Sequence, residues 1–302
     1  MTAVGYIGLG VMGAPMAGHV LRAGFPLHVT ARRRESADGV VAAGARWQPT
    51  ARQVAAQSDV VVLMVPDLPD VEDVLDGPGG LLAGIVRPLV VVVSSTVSPE
   101  GVRALDTRVR ALTGGLARIV DAPVSGGEEG AVAGTLSIMV GGSDDDVAVT
   151  LPVLAATGTV VHLGPLGAGQ VAKACNQMIV AATITALSEA AVVAQRAGLD
   201  VGALFDLLGG GYAGSRLMEV KKRRLAEHDH SPSGAARFLL KDLGFAAAEA
   251  RRSGTMTPQL DVLRDVFAGL TSAGMGDSDM SVVQAYVDGL DPRSAPAGRH
   301  SS

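Results

Sequence analysis

Short, wholly apolar runs separated by segments of helical period dominate the first half of the chain. Val4 to Ile7, Leu27 to Thr30, Asp59 to Val65, Arg87 to Ser94 and Arg118 to Asp121 each predict a strand. These runs do not alternate polar and apolar residues, and Ala-rich helical stretches lie between them. That pattern predicts an α/β domain whose mostly parallel sheet is covered by helices on both faces. Leu136 to Val140 and Val160 to His162 predict further strands at the far side of the sheet.

The pattern changes near Gly164, and from there to about residue 290 it predicts helices only. Gly167 to Ala197 reads as one helix with Gly198 as its stop. At 1.5 Å per residue it would be about 45 Å long. A small domain cannot bury such a helix alone, so it could link two domains or pack against a partner subunit. The predicted organisation is an α/β domain over 1–163 and an all-helical domain over 164–290. A tail over 291–302, rich in Pro, Ser, Gly and Arg, is predicted to be disordered.

Composition narrows the partners. The chain has 302 residues, enough for two domains, and is 48% hydrophobic but only 3% aromatic, so Ala, Val and Leu must build the core. A net charge of −5 argues against a nucleic-acid partner, which needs a basic surface. The basic run Lys221-Lys222-Arg223-Arg224 reads as a solvated helix face or end, with steering of an anionic ligand as the alternative. Cys175 is the only cysteine, which excludes an intrachain disulfide and suits a reducing, cytoplasmic setting. Its thiol is expected to be buried and inert. No stretch of about 20 uninterrupted apolar residues is found, and the N-terminus lacks signal-peptide features, so no membrane association is expected. The histidines show no metal-ligand spacing, and there is no Gly-x-Ser-x-Gly elbow.

The candidate chemistry begins with Gly8-Leu9-Gly10-Val11-Met12-Gly13, placed between the first strand and a helix. In that context Gly8 permits the tight turn, Gly10 admits a pyrophosphate, and Gly13 lets helix and strand pack closely. The second strand runs into Ala31-Arg32-Arg33-Arg34, with no acid before Glu35. A carboxylate that would repel a 2′-phosphate is missing and guanidiniums are present, which favours NADP(H) and leaves NAD(H) possible. The alternative is a solvated arginine loop. Val65-Pro66-Asp67 and Ser94-Ser95-Thr96-Val97-Ser98-Pro99 end the next two strands, where a ligand crevice opens. Ser95 and Thr96 could bond the nicotinamide ribose or the substrate, while Ser98 also fits a helix N-cap.

A second glycine-rich run, Gly164-Pro165-Leu166-Gly167-Ala168-Gly169-Gln170-Val171-Ala172-Lys173-Ala174-Cys175-Asn176, opens the long helix. Lys173 and Asn176 are three apart and share a face, and an ammonium beside an amide can exchange a proton with a carbonyl oxygen. Ser125-Gly126-Gly127, after Asp121-Ala122-Pro123-Val124, forms either a bare loop able to bind a carboxylate or a plain tight turn. Lys241-Asp242 pairs a cation with an acid on a later helix and could equally be a surface ion pair.

Taken together these blocks resemble the β-hydroxyacid dehydrogenase family, which includes 3-hydroxyisobutyrate dehydrogenase and tartronate semialdehyde reductase. The matching blocks are Gly8 to Ala17, Ser95 to Pro99, Asp121 to Gly127, Gly164 to Asn176 and Lys241 to Leu243, and they span about residues 3 to 290. The resemblance implies a Rossmann domain joined by a long helix to a helical domain, assembled as a homodimer or homotetramer. It implies Lys173 as acid/base, Asn176 on the reacting oxygen, and Ser125, Gly126 and Gly127 on a small-molecule carboxylate. Thr96 and Lys241 would line the cofactor and substrate cleft. NADP-preferring relatives often carry Asn-Arg-Thr or Asn-Arg-Ser where this chain has Ala31-Arg32-Arg33, so the arginine is kept and the amide lost. Ser94 stands where many relatives have an acid. Alternative readings are an imine or bulky-ketone reductase on the same fold, or a catalytically silent NADP(H)-binding sensor; imine reductases share the Rossmann end of the pattern but generally lack the lysine.

Overall fold

Alternate residues of the central strands feed two different cores, and this accounts for their unbroken apolar sequence. In the computed structural model, which describes residues 2–290, Val60, Val62, Val90 and Val92 pack into one core with Met16, Val20 and Val120. Val61, Leu63, Val91 and Val93 enter the other with Val71, Val102 and Leu105. A strand buried on both faces has no polar side to display. The tail over 291–302 lies outside the described residues.

Among the described residues nine strands form one sheet: β1 Val4–Ile7, β2 Leu27–Thr30, β3 Arg46–Trp47, β4 Val60–Leu63, β5 Leu89–Val93, β6 Ala117–Asp121, β7 Val124–Ser125, β8 Leu136–Gly141 and β9 Gly158–Gly164. Their order is β3-β2-β1-β4-β5-β6-β8-β7, with β9 on β8. From β3 to β6 every pairing is parallel, whereas β8 runs antiparallel to both β6 and β7. The order reverses at β1, between β2 and β4. In open α/β sheets that switch point is where a crevice opens at the carboxyl ends of the strands.

The chain divides into two compact units, residues 1–176 and a second beginning at Gln177. The helix Ala168–Arg196, 29 residues long, starts in the first and ends in the second. Gly198 stops it in a left-handed conformation (φ 79°), with Leu199 N–H bonded back to the Ala194 carbonyl. Among the described residues, the later part of the chain is helical apart from one isolated bridge, Ala235 to Asp279. Leu187, Ala191, Phe205, Met218 and Leu225 form a core of the second unit.

The long helix has a mean hydropathy of 1.6 over its best 18-residue window, but polar residues such as Gln177, Ser188 and Glu189 interrupt it. Two expectations need correction. Cys175 is exposed, not buried. Lys221 is buried, not solvated, and its Nζ lies 2.7 Å from Asp279 Oδ2. It falls between Met218 and Leu225 on the inward face of the helix Arg216–Glu227, where helical spacing places it. Lys222, Arg223 and Arg224 pair with Asp206, Glu227 and Asp229, so the basic run is neutralised residue by residue.

Candidate active site

The glycine loop at the end of β1 separates what the fold requires from what a ligand requires. Gly8 adopts φ 98°, and a Cβ there would collide with the Met64 carbonyl. At Gly13 a Cβ would overlap the Gly8 carbonyl, so helix and loop touch through backbone alone. A Cβ at Gly10 would meet nothing within 4 Å. No protein contact asks for glycine at that position, which is the property of a cradle for a bound group.

The helix that follows, Gly13–Arg22, has no side-chain cap at Met12 and no acid in its first turn. Its positive dipole end therefore suits an anion, and the residues present fit the pyrophosphate of a dinucleotide. Leu9 is buried beneath the loop, while Val11 is largely exposed.

Ala31, Arg32 and Arg33 follow β2 on the adjoining strand end. Arg34 is occupied, bonding Asp38 at 2.7 Å and stacking 4.7 Å from the Trp47 ring centre. Arg32 is exposed and stands 4.0 Å from Asp70 at its nearest approach. Arg33 is likewise exposed. At the end of β4, Val65 N–H donates to Ser95 Oγ at 3.2 Å. Ser95 is thus a buried tie between two strand ends, whereas Thr96 beside it is only half-buried. Pro66 is exposed and starts the turn into the next helix. Ser98 is a true N-cap, accepting from Gly101 N–H at 2.8 Å, with Pro99 in the first turn.

The start of the long helix is pinned from below. Asp121, wholly buried at the end of β6, accepts from Gly167 N–H and from Gln170 N–H, each at 2.7 Å. Gln170 in turn accepts from Val97 N–H at 3.0 Å and donates to the Ser95 carbonyl at 2.9 Å. A Cβ at Gly169 would strike the Met139 carbonyl and lie 2.8 Å from Asp121 Oδ2, so the second glycine run is there to bring the helix onto β8. Burial raises the Asp121 carboxyl to about 6, opposed by its backbone hydrogen bonds and by Arg103.

Lys173, one turn farther on, is only 8% exposed, and Asn176 is half-buried on the same helical face. Ser125 belongs to β7, paired with Ser137 of β8, so β8 supports both the serine loop and the helix start. Gly126 and Gly127 follow with φ 136° and 64°, left-handed values that favour glycine and leave both residues exposed. Lys241 lies in the second unit on the helix Ala236–Ser253, 3.8 Å from Asp242 Oδ1 and 5.4 Å from the Phe245 ring centre.

Sequence reasoning quoted Asp121 and Gln170 inside its motifs but gave neither a role, and it passed over Arg103, whose Nε donates to the Leu166 carbonyl at 3.1 Å. The available signal was an acid ending an apolar strand, although nothing in the sequence names its partners.

Comparison with known proteins shows the family. A family model for the NAD binding domain of 6-phosphogluconate dehydrogenase matches residues 3–164. A second, described as NAD-binding of NADP-dependent 3-hydroxyisobutyrate dehydrogenase, matches residues 167–287. The chain is 36% identical over 296 residues to an NAD-dependent L-serine dehydrogenase of Pseudomonas aeruginosa, covering 95% of this chain and 98% of that one. It is 39% identical over 284 residues to 2-hydroxy-3-oxopropionate reductase of Escherichia coli, covering 93% and 96%. The crystal structure of a 3-hydroxyisobutyrate dehydrogenase from Salmonella typhimurium matches with a TM-score of 0.87 at 29% identity, covering 95% and 100%.

Proposed function

Because the chain belongs to the β-hydroxyacid dehydrogenase family, NAD(P)-dependent oxidoreductases acting on CH–OH groups, we propose that it interconverts a short β-hydroxyacid and its semialdehyde with Lys173 as acid/base. One observation carries the reading: Lys173 is a buried lysine on a helix that is pinned at its start, with an amide on the same face. Surface lysines have no such setting.

Gly8, Leu9, Gly10, Val11, Met12 and Gly13 would hold the pyrophosphate, with Val65, Pro66 and Thr96 along the strand ends beside it. Arg32 and Arg33 favour NADP(H), since exposed guanidiniums can take up a 2′-phosphate. When bound, the nicotinamide supplies or accepts the hydride. Ser125 and the N–H groups of Gly126 and Gly127 would fix the substrate carboxylate. Lys173 Nζ would give a proton to the carbonyl oxygen in reduction and take the hydroxyl proton in oxidation, while Asn176 donates to that oxygen. Holding the carboxylate and the reacting oxygen at separate points orients the carbon between them. Lys241, in the second unit, carries no step in this account.

L-Serine, 3-hydroxyisobutyrate and 2-hydroxy-3-oxopropionate, the compounds in the relatives' names, are the first substrates to try. A homodimer or homotetramer is also proposed. It is supported by the exposed apolar side chains of Ile179 and Val193 on the long helix, each more than two-thirds accessible. A reducing, cytoplasmic setting fits the free thiol of Cys175.

The test is NADPH and NADH turnover with these compounds by the wild-type chain and by Lys173→Ala. The expected loss in the variant is about 10²- to 10⁴-fold in kcat, with the Kd for NADPH unchanged. Loss of cofactor binding instead would make Lys173 structural, and wild-type silence on all hydroxyacids would overturn the substrate class.

A further inference from the structure

We infer that Asp121 is a positioning residue for the reaction, its carboxylate latching the first turn of the helix that carries Lys173 and Asn176 to the ends of β5 and β6. The inference rests on the hydroxyacid reading of the site.

Two backbone donors, Gly167 N–H and Gln170 N–H, converge on the two oxygens of one carboxylate, one donor to each oxygen. A side chain more than forty residues away thus supplies acceptors to the start of the helix. Room for the carboxylate is made by glycine: a Cβ at Gly141 would strike Asp121 Oδ1, and one at Gly169 would crowd Oδ2. Gln170 extends the latch to the β5 loop through Val97 N–H and the Ser95 carbonyl, and Ser95 Oγ reaches Val65. The ends of β4, β5 and β6 and the helix bearing Lys173 therefore move as one piece. Arg103, from the helix Pro99–Thr113, holds the Leu166 carbonyl in the same loop and is the charged group acting on Asp121. From β8 and the glycine run, the groups facing it are backbone atoms and Gly141.

A buried, desolvated carboxylate is a poor choice if stability alone is the purpose, since desolvation is the largest influence on it. What it offers over an amide is two acceptors and no donor. Asparagine, or a protonated Asp121, would turn a donor toward one of the two N–H groups and lose that bond.

Asp121→Asn is therefore expected to lower kcat by about 10²-fold, the scale of an ångström-sized misplacement, with the Kd for NADPH within twofold of wild type. Amide exchange should quicken across residues 164–173. The wild-type kcat should fall on the acid side of pH about 6, and this limb should be absent from the variant. A variant with wild-type kcat and an unchanged acid limb would overturn the inference, whatever its melting temperature. If Asp121→Asn does not fold, Gln170→Met removes the amide contacts with little change of shape and carries the same expectation for kcat, and wild-type kcat there overturns it equally. Wild-type protein that turns over no hydroxyacid would overturn the reaction class instead, and the exchange measurement separates the two failures because it needs no turnover.

Discussion

Replacing the loop glycines one at a time should separate cofactor binding from folding. At Gly13 an alanine Cβ would overlap the Gly8 carbonyl oxygen and stand 3.0 Å from its carbon, and a backbone group cannot rotate aside. Overpacking of this kind costs about 3 kcal/mol or more, against a gain of up to about 1 kcal/mol from better helix propensity. The net loss of about 2 kcal/mol should lower Tm by roughly 4–8 °C for a unit of this size. At Gly10 the same methyl meets no protein atom within 4 Å. Stability should hold or rise by about 0.4–1 kcal/mol through the unfolded chain's lost freedom. The methyl does, however, fill the place assigned to the pyrophosphate, and NADPH should bind at least about tenfold more weakly, or about 1.4 kcal/mol. Fluorescence titration with NADPH and thermal unfolding without cofactor measure the two effects. Gly10→Ala that binds NADPH as wild type does, or that unfolds as early as Gly13→Ala, would refute the assignment.

Other expectations follow from single contacts. Replacing Arg32 and Arg33 together by Ala should weaken NADPH by about tenfold while leaving NADH nearly unchanged, with a smaller effect at high salt; equal losses for both cofactors would exclude 2′-phosphate recognition. Asp279→Ala should cost about 3–5 kcal/mol in urea unfolding because it strands the buried Lys221 ammonium, whereas Glu227→Ala, at an exposed pair with Arg223, should cost under about 1 kcal/mol. Equal costs would mean that Lys221 is rehydrated. Asp121 is raised from 3.8 to about 6, so between those values the native state holds its proton where the unfolded state has released it. Its contribution is therefore present in acid and lost as pH rises through about 6, by roughly 3 kcal/mol. Relative to Asp121→Asn, the wild type should gain most of that, about 2 kcal/mol, on going from pH 7 to pH 4 in urea unfolding, and a flat difference would contradict the shift.

The elements read easily from sequence are those fixed by their own residues. β4 and β5 announce themselves because each strand feeds two cores, and the long helix ends where Gly198 can take a positive φ. β3 and β7 did not, because two residues carry no period; Arg46–Trp47 is a strand only because β2 lies beside it, and Val124–Ser125 only because β8 does. Burial was misjudged at Cys175 and Lys221 for a related reason. Helical spacing says which residues share a face but not what, if anything, covers that face. The candidate site divides along the same line. Gly8 and Gly13 were legible because their reasons lie within the adjoining turn, helix and strands. Lys173 gained weight only from the glycines before it, and the structure shows why: Gly169 is small so that the helix can touch β8, and Gly167 and Gln170 bond a carboxylate 46 and 49 residues away. The lysine and its support are thus distant in the chain and adjacent through one antiparallel step, the pairing of Asp121 with Gly141 across β6 and β8. A parallel β8 would have needed a crossover before it returned to β6, whereas this reversal brings the end of β6, the serine loop and the Lys173 helix to one strand within a short run of chain.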